Sequence, residues 1–252
     1  MTGPGTTVEY LLGLADDALI AAQRLSEWYA RSPEMEEDVA LANIALDQLG
    51  TARLLLSYAG EREAAGRDED ALAYLREERE FRNCLLVELA NGDFAMTMGK
   101  LLFLAAYQLP LYERLAACPD ERLAGIAGKA RKESAYHLDH SAQWVIRLGD
   151  GTQESHRRMQ YAVDELWPYT HELFAADRAA PVDPATLREP WLRAVEPVLA
   201  EATLRRPADP DGAGGSADWA PEGGRRGLHT EHLGYLLAEM QALHRAHPGA
   251  SW

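Results

Sequence analysis

The sequence predicts an all-α helical bundle, and three observations predict it. Apolar residues recur with the helical period along most of the chain. No stretch alternates apolar and polar residues as a half-buried strand would. The Gly-, Pro- and Asn-rich breaks fall between segments of roughly 20–30 residues, the length of bundle helices.

The first helix is expected over residues 6–31, with Leu11, Ala15, Ala18, Ala22, Leu25 and Tyr29 on one stripe. "SPE" (32–34) reads as a stop and restart, with Ser32 as N-cap, Pro33 at the first helical position and acids in the first turn. The second helix runs to about Tyr58. "AGEREAAGRDED" is a connection, and a short helix follows near 69–80. "ANGDF" (90–94) is a turn, because Asn-Gly favours positive φ. A third long helix spans about 94–117, with Pro110 expected to kink or divide it. "CPDE" (118–121) opens a fourth that stops at "GDG" after Leu148, and a fifth covers about 152–176 with a second kink at Pro168. A sixth spans about 184–204. Residues 205–227 have the Gly and Pro content of a long loop, and "LHTEHLGYLLAEMQALHR" is the last helix. The long 59–93 connection between the second and third helices suits a bundle with a crossover, the ferritin-like arrangement. The expected organisation is one such domain over 1–252, with a core bundle at about 6–176 and C-terminal helices and loop at about 184–252.

Composition narrows the function. A formal charge of −15 disfavours sequence-independent nucleic-acid binding, which needs cations to neutralise phosphates, and leaves room for a basic protein partner. No apolar run is expected to cross a bilayer: the best candidate, "LLFLAAYQLPLY" (101–112), is short and holds a proline. The N-terminus lacks the basic and apolar regions of a secretory signal, and two cysteines suggest no disulfide framework, so a cytoplasmic setting is expected.

"KARKESAYHLDHSAQW" (129–144) invites a metal reading, since Glu133, His137 and His140 fall on one helical face. A di-iron carboxylate bundle takes one Glu from each of two helices and a Glu-x-x-His pair from each of the other two. The fourth helix offers Glu133, but Tyr136 stands three residues on, and His137 lies about 100° further round. The second helix offers Asp47, followed at the histidine position by Gly50. The third has no Asp or Glu between Phe94 and Tyr112, and its notable ionisable group is Lys100. Asp16 and Asp17 on the first helix lie off the apolar stripe. Asp47, Gly50, Glu133, Tyr136 and His137 therefore read as a degenerate metal site. In it, Glu133, Lys100, Tyr136 or Asp47 would satisfy one another as a polar network. The competing reading is a self-sufficient di-iron oxidase or ferroxidase with a shifted ligand set of Asp47, Glu133 and His137.

Six segments carry a resemblance: "LSEWYARSPEMEEDVALANIALDQLGTARLLLSYA", "LLVELANGDFA", "KARKESAYHLDHSAQWVIRLGDGT", "AVDELW", "LWPYTHELF" and "GLHTEHLGYLLAEMQALHR". Together, over about 9–252, the chain resembles the C-type structural subunits of bacterial phenylacetyl-CoA epoxidase, the ring 1,2-monooxygenase of phenylacetate degradation. The resemblance implies a ferritin-like fold that has lost its di-iron ligands and pairs with an iron-bearing catalytic A-type subunit. It further implies other small subunits and a reductase in the assembly, and no cofactor bound by this chain. Pro110 departs from the family pattern.

Two further motifs have competing readings. "GLHTEHLG" (227–234) places His229 and His232 one turn apart, which suits either metal ligands or a helix start capped by Thr230 or His229. "GGRRG" (223–227) concentrates charge and backbone freedom, making Arg225 and Arg226 candidates for contacting a partner subunit or CoA phosphates. Trp28, Trp144, Trp167 and Trp191 are expected to be mostly core. No phosphate-binding loop, dinucleotide glycine motif or Gly-x-Ser-x-Gly elbow is present.

Overall fold

A computed structural model describes residues 7–175, 180–209 and 220–250. All regular structure among these residues is helical. The α-helices are, in chain order, α1 (Val8–Ser26), α2 (Met35–Glu63), α3 (Glu69–Tyr74), α4 (Leu85–Glu88), α5 (Phe94–Leu115), α6 (Glu121–Gly149), α7 (Gln153–Leu166), α8 (Arg188–Glu201), α9 (Glu231–Met240) and α10 (Ala242–Ala246). The all-α expectation holds.

The chain divides into two compact units. Among the described residues, the N-terminal unit comprises 7–90 and 223–250, and the central unit comprises 91–175, 180–209 and 220–222. The C-terminal helices are therefore shared out: α8 belongs to the central unit, α9 and α10 to the N-terminal one.

Local chemistry sets five of the ten described α-helix starts. Thr7, Asp68, Asp93, Asp120 and Thr152 each accept a hydrogen bond from a first-turn backbone N–H of the helix that follows. Gly92 takes the positive φ (58°) that the Asn-Gly turn requires. The start of α2 differs from expectation. α1 ends at Ser26, Tyr29 is largely exposed, and Glu34 rather than Ser32 is the N-cap. The Asp38 carboxylate explains this: it accepts from the backbone N–H of Ala30 (3.0 Å) and Ser32 (3.4 Å), tying the connection back onto α2.

The prolines behave differently from one another. Pro110 sits inside an unbroken α5, whereas Pro168 opens a 3-10 segment, Trp167–Phe174, that ends the α7 run. Residues 210–219 of the expected long loop lie outside the described residues. α2 and α5 are each long and apolar enough to cross a membrane by length and composition, which corrects the expectation from residues 101–112. Most of α5 is nonetheless buried in protein, as a soluble core helix would be.

In the central unit α5 and α6, joined by a short turn, form the long helix pair. Its core is aromatic. Phe103 lies 5.7 Å from Trp167 and 5.5 Å from Trp191, the two tryptophans are 5.2 Å apart, and Phe174 closes on Trp191 at 5.4 Å. Trp191 Nε1 donates to the Phe103 carbonyl (2.9 Å), so the buried indole is satisfied. Trp28 and Trp144 are only partly buried.

Candidate functional site

The N-terminal unit is built around buried charge. α1 is buried on nearly every side, so an apolar-stripe argument misplaces Asp16 and Asp17, which are 0% and 3% exposed. Asp16 receives a two-pronged contact from the buried Arg76 guanidinium and the backbone N–H of Arg82 (2.8 Å). Arg76 also lies over the Phe81 ring, 4.2 Å from its centroid. Asp17 accepts from Cys84 N (2.7 Å) and from both terminal nitrogens of Arg225 (3.0 and 2.6 Å). Burial pushes the Asp17 carboxyl above its ordinary value, and the Arg225 charge pulls it back only in part.

A third carboxylate completes the cluster. Glu88 accepts from Asn83 Nδ2 (2.8 Å) and Thr230 N (2.6 Å), and its Oε2 lies 2.8 Å from His229 Nδ1. The other ring nitrogen faces the Phe81 carbonyl at 3.1 Å. Both nitrogens thus meet acceptor oxygens, and only the doubly protonated ring can donate to both. Burial lowers the His229 pKa, but the Glu88 hydrogen bond and charge, the Phe81 carbonyl and the Glu78 charge together raise it above the usual histidine value. Arg24 adds a clamp, donating to the Glu88 carbonyl (3.0 and 2.8 Å) and the His232 carbonyl (3.0 Å).

Residues 223–232 are thereby fastened to α1 and the 76–88 segment. The glycines of "GGRRG" allow the close approach: a side chain at Gly224 would meet the Asn83 carbonyl at 2.2 Å, and one at Gly227, where φ is 74°, the Arg79 carbonyl at 2.2 Å. Arg225, expected to reach a partner or CoA, instead pairs with Asp17 in its own chain; Arg226 remains exposed. His229 is neither the helix cap nor placed among metal donors; α9 is capped at Thr230 without a side-chain bond. Every carboxylate of the cluster already holds a cation or N–H donors. Chemically it is a fastening.

The degenerate metal positions fall in both units. In the N-terminal unit, Asp47 and Gly50 lie partly buried on α2. In the central unit, Glu133 accepts from Lys129 one turn earlier on α6. His137 is buried, while Tyr136 is 49% exposed and so stands at the surface rather than in an interior ligand position. Its ring leans on those of His137 and His140, at 6.2 and 6.0 Å. Among the buried residues of α5 the charged one is Lys100, whose ammonium donates to Asn91 Oδ1 (3.2 Å). Within either unit, among the described residues, no group of three or more His, Cys, Asp or Glu side chains is arranged to hold a metal ion. A carboxylate-bridged iron pair does not fit this donor set: among its buried residues α5 offers no Asp or Glu, and the charged group it buries is the Lys100 ammonium.

The comparisons bear on the same helices. The model of the phenylacetic acid catabolic protein family matches residues 4–252. The chain belongs to that family. A relative in this family, the C-type subunit of the 1,2-phenylacetyl-CoA epoxidase of Escherichia coli (strain K12), is 47% identical over 251 residues, covering 96% of this chain and 98% of the relative. The ferritin-like helical bundle expected from the crossover and the resemblance is consistent with membership of the phenylacetic acid catabolic family and with the all-α structure. The segments on which the resemblance rests include Asp38, the degenerate positions of α2 and α6, and the His229 fastening.

Proposed function

We propose that this chain is a non-catalytic structural subunit of a phenylacetyl-CoA epoxidase, supporting a catalytic A-type subunit that carries the iron. The reading rests on one observation: α5 buries a lysine, Lys100, and no Asp or Glu, in a chain whose relative is a subunit of that epoxidase. A ligand helix that carries an interior ammonium disfavours a nearby metal cation by direct repulsion. The chain's work is then mechanical. It presents rigid helices to its partners, and its C-terminal segment is held by ion pairs rather than left to move. It binds no cofactor itself, works in the cytoplasm, and shares its assembly with other epoxidase subunits and a reductase. Arg226, exposed beside the fastened Arg225, is the arginine of this motif proposed to meet a partner or an acyl-CoA phosphate.

Metal analysis of the purified chain, followed by co-expression with the iron-bearing subunit and an epoxidation assay, tests the reading. The expected result is an iron-free chain that consumes no oxygen alone yet is required for full activity of the complex. A chain that carries an iron pair and consumes oxygen unaided would instead establish the self-sufficient oxidase with Asp47, Glu133 and His137 as ligands.

A further inference from the structure

α2 carries an apolar stripe that the described chain leaves open. Met35 is 78% exposed, Val39 59%, Leu46 64% and Leu49 38%. With Ala42 and Arg53 these residues stand at positions 35, 39, 42, 46, 49 and 53, alternating steps of four and three. That two-in-seven spacing is the seam of a helix packed lengthwise on another helix. From Met35 to Leu49 the apolar row runs for about 21 Å at the helical rise, long enough for about four turns of a partner. A contiguous apolar row of this kind is uncommon on the free surface of a monomer.

From this row we infer that the Met35–Arg53 stripe of α2 is the docking seam for an α-helix of the iron-bearing subunit of the oxygenase, a helix apolar along its own seam and basic at one end. The inference rests on the reading of this chain as a structural subunit and adds where it binds. The period selects a helix as occupant. Charge selects its chemistry: Glu34 and Glu36 are exposed and Asp38 partly so around the Met35 end, outnumbering the exposed Arg31, whereas Arg53, paired with Glu69 at 3.2 Å, marks the other end. A second copy of this chain is the poorer occupant. Parallel pairing would set the three acids against themselves, antiparallel pairing would offer them mainly Arg53, and each copy brings a formal charge of −15.

The test uses the full chain and the iron-bearing subunit, with affinity measured by calorimetry and folding by thermal melting. Val39→Glu/Leu46→Glu changes two exposed side chains at the middle of the seam; Tyr161→Glu changes an exposed aromatic on α7 as a control. The expected result is binding weakened roughly 30-fold or more by the double substitution, as for residues at an interface centre, with melting unchanged and the control at full affinity. Val39→Ala/Leu46→Ala, which adds no charge, should weaken binding in the same direction and serves if the glutamates disturb folding. Full-affinity binding by both double variants would overturn the seam while leaving the subunit reading intact. Failure of the unsubstituted chain to bind any epoxidase subunit would overturn the subunit reading and the seam with it. A homodimer in sedimentation that the double substitution dissolves would assign the stripe to a second copy and overturn the inference.

Discussion

The two units solve the same problem, holding several helices in register, with opposite chemistry. The N-terminal unit buries Asp16, Asp17 and Glu88 and answers each with a cation from a distant part of the chain. The central unit packs Phe103, Trp167, Phe174 and Trp191 and satisfies one indole with one carbonyl. Aromatic packing is tolerant, because neighbouring rings repack around a changed side chain. Buried ion pairs are not: each fixes which segment meets which, and each is costly to break. The charged solution lies where the C-terminal segment must return across more than a hundred residues to one place on α1.

The contrast can be broken first at Asp16. Asp16→Ala leaves the Arg76 guanidinium buried without its carboxylate and should destabilise the N-terminal unit by about 3–5 kcal/mol. Native-state hydrogen exchange, which reports the two units separately, should show the loss in α1 and residues 76–88 and spare α5 and α6. Equal loss in both units would contradict the division of labour. Trp191→Phe is the matching change in the central unit. It removes the bond to the Phe103 carbonyl and part of the ring, for about 2 kcal/mol, and should lower protection in α5, α8 and the Trp167–Phe174 segment while sparing the N-terminal unit.

Arg225 and Arg226 sharpen the comparison within one motif. Arg225→Ala should cost about 2–3 kcal/mol by stranding Asp17, while Arg226→Ala, at an exposed position, should stay within about 0.5 kcal/mol, both read by urea unfolding. Equal effects would remove Arg225 from the fastening.

His229 gives a smaller effect than Arg225 and the one with a pH signature. Its folded pKa is raised, so the protonated ring stabilises the fold fully below the ordinary histidine value of 6.5, and that contribution is lost as pH rises through the folded value. The groups facing the ring are Glu88, the Phe81 carbonyl and, further off, Glu78. Stability measured from pH 6 to 9 should therefore fall across this window in the unsubstituted chain. His229→Gln should lower stability by roughly 1–2 kcal/mol at pH 6 and flatten that fall. A pH dependence that survives the substitution would place its source elsewhere.

What the sequence disclosed was what is local. Asp93, Asp120 and Thr152 lie next to the helices they cap, and Asn91-Gly92 is a turn on any reading. Asp38 escaped notice because its work is done six to eight residues back, on Ala30 and Ser32. The ion-pair cluster was illegible for a stronger reason. Arg76 meets Asp16 from 60 residues away and Arg225 meets Asp17 from 208, and no local pattern carries such a pairing. The aspartates looked peripheral because a helix buried all round has no single apolar stripe. For the metal question, sequence spacing already separated Glu133 from a histidine three residues on. It could not show that Tyr136 faces outward or that Lys100 is buried.

The central claim, that this chain supports iron chemistry without performing it, is tested most directly by one reconstitution. The complex is assembled with Glu133→Gln/His137→Gln in this chain, and iron content and phenylacetyl-CoA epoxidation are measured together. The account predicts an assembled complex with unchanged iron and unchanged turnover. An assembled complex that has lost iron and turnover would contradict it and return those two side chains to a working metal site.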